Sequence, residues 1–251
     1  MMQELPDGCI DLTITSPPYD DLRTYNGFTL DWHKVIEQLY RVTKAGGVVV
    51  WVVADATVNG SETGTSFKQA LWAMECGFNL HDTMIYQKIG NGAPQTKPYL
   101  RYSPAFEYMF VFSKGRPKTF NPTMVYGSEK GIRIKGKRQK SGKITRGFYN
   151  AGAGSPEQNI WQIKPDHMRT GGRTMSSQHV AAFPETLARK HIVSWSSEGD
   201  LVLDPFMGSG TVAKMAMQNG RDYLGFDISE EYVELAKKRV AWSNPPLLVA
   251  S

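Results

Sequence analysis

Residues 11–15 (DLTIT) form a short β-prone run that stops at Ser16-Pro17-Pro18-Tyr19, where two prolines remove ladder donors. Trp32, Val35, Ile36 and Leu39 then recur at helical spacing, and Gly46-Gly47 reads as the end of that helix. Residues 48–53 are an almost unbroken apolar run, the pattern of a strand buried on both faces of a parallel sheet. A second helix is predicted over residues 66–75, with Phe67, Ala70, Leu71 and Met74 on one face and Gly77 as its stop; strands follow near 81–88 and 107–113.

From residue 114 to about 175 the periodicity fades and Gly, Pro, Ser, Lys and Arg accumulate, with only a short extended piece at 159–163. The α/β alternation then resumes. A helix from Pro184 or Glu185 to about Trp195 leads to a strand at 201–203, a Gly-rich turn from Asp204 to Thr211, and a helix ending at Asn219-Gly220. A strand at 223–226 ends at Asp227, and Ser229 caps a last helix with Glu230 and Glu231 in its first turn and Lys237, Lys238 and Arg239 in its last, as the helix dipole favours. The predicted fold is α/β, an open, mostly parallel sheet with flanking helices, in three segments: 1–113, an inserted segment 114–175, and 176–251.

Composition narrows the class. With 251 residues, 41% hydrophobic and 21% charged, the chain is too apolar for general disorder. It contains no run of 18 apolar residues and opens on an acidic, Pro-containing stretch, so neither a membrane span nor a secretory signal is expected, and a cytoplasmic protein is. Cys9 and Cys76 form no CxxC pair, and two buried thiols are the expectation. The charge is local: Lys114, Arg116, Lys118, Lys130, Arg133, Lys135, Lys137, Arg138, Lys140, Lys143 and Arg146 stand against the single acid Glu129, while the remainder of the chain is mildly acidic. A cationic insert on such a body is the electrostatic footprint for a polyanion.

Two loops carry candidate chemistry. In Asp204-Pro205-Phe206-Met207-Gly208-Ser209-Gly210-Thr211 an acid ends a buried strand and a Gly-rich turn opens a helix. Glycines allow close backbone approach, the helix N-terminus offers unpaired N–H groups, and ligands of open α/β sheets lie beyond the carboxyl ends of the strands. Asp227, at the end of the next strand, is placed to accept hydrogen bonds from ribose hydroxyls, so the pattern describes a nucleoside-cofactor site. His33, His81, His167, His179 and His191 show no metal-ligand spacing, and no metal is expected.

DPFMGSGT closely resembles the S-adenosylmethionine loop of the DNA amino-methyltransferases, and TSPPY (residues 15–19) resembles their catalytic loop. The order, catalytic loop first, basic insert next and cofactor loop last, is that of the beta group of these Rossmann-like enzymes. LRTY at 22–25, the region 86–113 and the segment HVAAFP at 179–184 are also similar to family segments. The resemblance implies S-adenosylmethionine as cofactor, with Asp204 facing its methionine ammonium, Phe206, Gly208, Ser209, Gly210 and Thr211 lining it, Asp227 on the ribose and Phe183 packed beside it. It implies Ser16, Pro17, Pro18 and Tyr19 as the catalytic set. An exocyclic amine is a poor nucleophile whose protons grow acidic as it attacks a methyl sulfonium, so it needs preorganised acceptors, and Tyr19 offers a flat face to an extruded base.

The insert, residues 114–175, is then a target-recognition segment on double-stranded DNA, flanked by a catalytic half (1–113) and a cofactor-binding half (176–251). Arg133, Lys135, Lys137, Arg138, Lys140, Lys143 and Arg146 are its candidate DNA contacts, and Arg169 and Arg173 join Arg133 and Arg138 as candidates for reading guanine. A cognate restriction endonuclease is a further partner that the resemblance allows. Family members usually carry an extra strand and a Gly-Asp turn before the segment matching residues 5–8; this chain begins almost there, which sets the expectation of an open sheet edge and fewer contacts at the cofactor pocket. Ser16 favours cytosine N4 as the target over adenine N6, since N6 members more often carry Asp at that position. Methylation of RNA or of a protein glutamine, and a DNA-binding protein with an inactive domain, are the other readings.

Overall fold

The computed structural model describes residues 2–18, 30–89, 101–126, 132–138, 144–150, 154–165, 169–170, 173–174 and 184–243. In chain order the strands and α-helices are β1 (Ile10–Thr15), α1 (Trp32–Val42), β2 (Thr43–Val53), β3 (Thr57–Val58), β4 (Ser61–Glu62), α2 (Thr65–Glu75), β5 (Asn79–Lys88), β6 (Phe106–Ser113), β7 (Met124–Val125), β8 (Ile132–Arg138), β9 (Ile144–Asn150), β10 (Ser155–Pro156), β11 (Ile160–Ile163), β12 (Arg169–Thr170), β13 (Arg173–Thr174), α3 (Glu185–Trp195), β14 (Leu201–Asp204), α4 (Thr211–Gln218), β15 (Asp222–Gly225) and α5 (Glu230–Ser243).

The chain divides into two compact units, one formed by Met1–Phe120 with Asn159–Ser251 and the other by Asn121–Gln158. The second unit is narrower than the segment delimited by composition. Lys114–Phe120 belongs to the main unit because Lys118 pairs with buried Asp11 and also reaches Asp200, while Lys114 donates to the Tyr40 carbonyl. Residues 160–163 belong there because β11 pairs with β5.

The main unit is built on a seven-stranded sheet in the order β11-β5-β6-β2-β1-β14-β15. Only β6 runs against its neighbours; β2, β1, β14 and β15 are parallel, as are β11 and β5. One core cluster packs Leu12, Ile14, Val48, Val50, Val52, Met109 and Val111 against Leu187, Ala188 and Ile192 of α3 and Val212, Met215 and Ala216 of α4. The other packs Val49, Trp51, Val53, Phe110 and Phe112 against Ile36, Leu39 and Val42 of α1 and Ala70 and Ala73 of α2. Burial on both faces explains the uninterrupted apolar run of β2. No described helix is long and apolar enough to cross a membrane.

Four local expectations differ from the structure. Gly46-Gly47 does not end α1, which stops at Val42; Thr43 turns extended and its hydroxyl donates to the Leu39 carbonyl at 2.6 Å. The glycines sit in a register irregularity of β2 against β1, where Gly46, at φ 80°, exchanges backbone hydrogen bonds with Lys114 and Lys118. Helix α2 buries Ser66, Gln69, Ala70 and Ala73 and leaves Phe67, Leu71 and Met74 exposed, because the sheet side offers polar partners: Trp51 Nε1 donates to Gln69 at 2.8 Å, and Asp55 accepts from the Ser66 backbone N–H and hydroxyl. Helix α5 runs on to Ser243, so Lys237–Arg239 lie in its middle and do not complement its dipole. Cys9 and Cys76 are half-buried rather than buried, and both are free.

The second unit is a pair of antiparallel ladders. β7 pairs with β10, and β8 pairs with β9 over seven positions from Ile132↔Asn150 to Arg138↔Ile144. The Glu157 N–H donates to the Thr123 carbonyl at 2.8 Å beside the shorter ladder. The basic stretch is therefore largely a hairpin, where composition had suggested irregular chain.

Candidate active site

Strands β1 and β14 are parallel neighbours, in register at Leu12↔Val202 and Thr13↔Leu203, so their carboxyl ends emerge side by side. Ser16-Pro17-Pro18 leaves the end of β1, with Pro17 buried and Ser16 and Pro18 half-buried. The Asp204 turn leaves the end of β14. The two are joined directly: the Thr15 hydroxyl, fully buried, donates to Asp204 Oδ1 at 2.7 Å. The Phe206 N–H donates to the same oxygen at 3.1 Å. Both donors among the described residues thus fall on Oδ1.

Burial pushes the Asp204 carboxyl up to about 7, against the lowering pull of the Thr15 and Phe206 hydrogen bonds, and the charge of Asp227 adds to the rise. Asp11, buried at the opposite end of the same strand pair, shows what is missing. Burial would raise it too, but hydrogen bonds from Lys118 and Lys44 and from the Leu201 N–H bring it below the ordinary carboxylate value. Asp204 has no such cation among the described residues. A cationic ligand group is therefore the natural complement to its position.

The loop that follows is shaped by glycines in two places. Gly208 has φ 50°, and a side chain there would meet nothing closer than the Phe206 carbonyl at 4.0 Å, so its surface is open to a ligand. Gly210, at φ 79°, caps α4, and a Cβ would lie 2.7 Å from that of Ala236 in α5, so only glycine lets this helix end close onto its neighbour. Asp227 closes the loop from β15: Oδ2 accepts from the Gly208 N–H at 2.9 Å and Oδ1 from the Ser229 N–H at 2.9 Å. Phe206 is half-buried and stands edge-on to Trp51, with ring centroids 6.5 Å apart.

A clamp missed by the sequence reading holds this loop from behind. Arg239 donates through Nη1 to the Ser209 carbonyl at 2.8 Å and hydroxyl at 2.6 Å, and through Nη2 to Glu185 at 2.9 Å; Lys214 pairs with the same Glu185 oxygen at 2.7 Å. Buried Ser209 is thereby fixed to the start of α3. The signal was present as a basic residue on α5, but its role depended on the helix continuing past it.

Asp204, Phe206, Gly208, Ser209, Gly210, Thr211 and Asp227 are brought together with Ser16, Pro17 and Pro18 beyond the carboxyl ends of the parallel strands, whereas Tyr19 and Phe183 lie outside the described residues. Of the cationic residues, Arg133, Lys135, Lys137 and Arg138 fall on β8 and Arg146 on β9, opposite Gly136; Lys140 and Lys143 lie outside the described residues. Arg169 and Arg173 fall on the β12–β13 hairpin. A groove of about 540 Å³ lined by Asp7, Arg41, Lys44 and Lys114 opens at the amino ends of the strands, away from both loops. Its cations are already engaged, Arg41 by Asp7, Lys44 by Asp11 and Lys114 by the Tyr40 carbonyl, so it is not the site.

The site thus offers an acid with no cation beside it among the described residues, an open glycine turn at a helix N-terminus and a carboxylate just past the next strand, which suits a ligand combining a positive charge with a nucleoside. Known proteins fit this description. A family model described as DNA methylase matches residues 10–238. The orphan methyltransferase M.BamHII of Bacillus amyloliquefaciens is 49% identical over 246 residues, covering 96% of this chain and 92% of its own. Among solved structures, the cytosine-N4-specific PvuII DNA methyltransferase superposes with a TM-score of 0.69 at 21% identity, covering 95% of this chain and 82% of that one. TTHA0409 of Thermus thermophilus, solved with S-adenosyl-L-methionine, gives a TM-score of 0.65 at 24% identity, covering 98% and 90%. The chain therefore belongs to the DNA methylase family, as a beta-group, S-adenosylmethionine-dependent DNA methyltransferase of the N4/N6 amino class.

Proposed function

We propose that this methyltransferase modifies the exocyclic N4 of cytosine, in a base turned out of double-stranded DNA. The observation that carries the reading is the Thr15–Asp204 hydrogen bond, which sets the residue before Ser16-Pro17-Pro18 against the acid of the cofactor turn. In-line transfer requires the methyl donor and the accepting nitrogen within a few ångströms of each other, and adjacent strand ends meet that need. Ser16 at the head of the motif favours cytosine over adenine, and the N4 specificity of the PvuII enzyme, which shares the fold, points the same way.

Each group has a role in this reading. Asp204 would pair with the methionine ammonium and Asp227 would accept from the ribose, its direction held by its two backbone donors, while the open backbone at Gly208 would admit the ligand. Bound S-adenosylmethionine supplies an electrophilic methyl group on a sulfonium. Ser16 and the carbonyls of the Pro-Pro turn accept the amino protons of the target, directing its lone pair at the methyl carbon as the N–C bond forms and the S–C bond breaks. The surplus proton leaves to solvent, and no covalent enzyme intermediate is needed. Tyr19 stacks on the extruded base, and the hairpin cations Arg133, Lys135, Lys137, Arg138 and Arg146, with Lys140 and Lys143, contact DNA.

Incubating unmethylated DNA with enzyme and cofactor, digesting to nucleosides and separating these by mass tests the reading. N4-methylcytosine is the expected product, lost in Ser16→Ala. N6-methyladenine would overturn the base assignment, and 5-methylcytosine would overturn the chemistry assigned to the loop, because carbon methylation needs a cysteine nucleophile that Ser16–Tyr19 lacks.

A further inference from the structure

Thr15 donates to Asp204 from the last residue of β1, and the next three residues are Ser16, Pro17 and Pro18. Neither proline carries an N–H with which to fix itself to a neighbouring strand. The course of the loop therefore depends on the residues that precede the prolines, and Thr15 ties that stretch to Asp204. The same hydroxyl commits Oδ1 of Asp204 to the protein, and the Phe206 N–H reinforces this at 3.1 Å, while Oδ2 receives no donor among the described residues. One hydrogen bond thus acts on both halves of the site, although its partners lie 189 positions apart in the chain.

We propose that Thr15 is a positioning residue for methyl transfer: its hydroxyl aims Asp204 at the cationic end of the cofactor and holds the Ser16-Pro17-Pro18 loop against that acid, so that cofactor binding and loop setting are coupled. The inference rests on the cofactor site described above but not on the identity of the methylated base. Thr13 supplies the contrast. It lies two residues earlier on the same strand and is fully buried, yet among the described residues its hydroxyl has no partner. A hydroxyl at that depth on β1 is not by itself a device; the bond to Asp204 makes it one.

Among the described residues, the charged group facing Asp204 is Asp227, two residues past β15. β1 contributes the Thr15 hydroxyl and no charge, while Lys214 of α4 and Arg239 of α5 are held by Glu185. Removing the Thr15 donor takes away a group that favours ionised Asp204, so the proton should be held to higher pH and the cofactor should compete with it less well.

The test compares Thr15→Val, which keeps the shape and removes the donor, with Thr15→Ser, which keeps the donor, and with Thr13→Val. S-adenosylmethionine affinity is measured by calorimetry from pH 6 to 9 in the full chain, beside single-turnover methylation at saturating cofactor. In the wild type, affinity rises with pH through the Asp204 titration and then levels. In Thr15→Val that rise should move to higher pH by about half to one unit, the equivalent of one hydrogen bond, and the single-turnover rate should fall about tenfold or more. Thr15→Ser should restore the wild-type pH profile, and Thr13→Val should leave both readouts unchanged. An unmoved profile in Thr15→Val, or equal effects of Thr15→Val and Thr13→Val, would overturn the proposal. If Thr15→Val does not fold, Thr15→Ser decides: a wild-type profile and rate support the proposal, and a displaced profile overturns it. Adenine as the product would leave every one of these outcomes in force while refuting the cytosine assignment.

Discussion

Replacing Asp204 by Asn should make the cofactor-free protein more stable and the enzyme unable to hold its cofactor tightly. The amide oxygen of Asn can still accept from the Thr15 hydroxyl and the Phe206 N–H, so what disappears is the buried charge. The folded carboxyl titrates at about 7 against an ordinary value of 3.8. At about 1.4 kcal/mol per pH unit, the ionised side chain costs the folded state about 4 kcal/mol at pH 8 and about 2 kcal/mol at pH 5. Because the folded value is raised, the folded state binds more protons between these limits, and wild-type stability from this group is lost as pH rises through 7. His191 acts in the opposite sense: it is fully buried, burial and the nearby Lys190 charge push it down to about 3, and stability from it is lost as pH falls from 6.5. The two slopes overlap, so the wild-type curve alone is uninformative and the difference between variant and wild type is the observable. Denaturant unfolding at pH 5, 6, 7 and 8 should give an Asp204→Asn gain that grows by about 2 kcal/mol across the series. Calorimetry should show S-adenosylmethionine binding weakened by about 1.5 to 3 kcal/mol, a hydrogen bond to a charged group. A stability difference independent of pH, or unchanged affinity, would refute the reasoning.

Asp227→Ala removes the acceptor for both Gly208 and Ser229 N–H groups and should weaken cofactor binding by about 1 to 3 kcal/mol, read by calorimetry. Arg239→Met keeps the aliphatic stem but removes the tie between Ser209 and Glu185, so KM for the cofactor should rise about tenfold with a smaller change in kcat. Neutralising Lys135, Lys137 and Arg138 together should weaken binding to all DNA sequences and flatten its salt dependence by about two to three units of log–log slope, measured by titration across a salt series.

The parts of the fold legible in the sequence were those governed by local rules. Strand ends marked by Pro-Pro and by Asp-Pro, and a Gly-rich turn opening a helix, located both loops because proline and glycine act within a few residues of themselves. The face of α2 was read incorrectly because large apolar side chains were assumed to point inward, whereas Gln69 and Ser66 turn in to meet Trp51 and Asp55, partners set by a neighbouring strand and its loop. Lys118 counted as part of the basic insert, yet it lies in the main unit beneath Asp11. Thr15 was visible only as a member of a motif. Its partner Asp204 becomes a neighbour through the order β1-β14 in the sheet, which no local pattern encodes.

The same strand pair carries two buried acids, and their difference separates support from function. At the amino end, Asp11 receives Lys44, Lys118 and the Leu201 N–H, so its charge is met within the protein and the two strands are held together. At the carboxyl end, Asp204 receives neutral donors from Thr15 and Phe206 and faces a like charge in Asp227. A lysine at that end would stabilise the fold as it does at the other, but it would occupy the position that the cofactor's cation needs. With no cation beside it among the described residues, the Asp204 charge makes the cofactor-free site costly to the fold, and bound cofactor relieves that cost, so ligand binding should raise stability most where Asp204 is ionised, above pH 7. Thermal unfolding with and without saturating S-adenosylmethionine should therefore show a stabilisation that increases from pH 6 to pH 8 in the wild type and is small and flat in Asp204→Asn. Equal stabilisation at both pH values would mean that the cofactor's positive charge is met elsewhere than at Asp204.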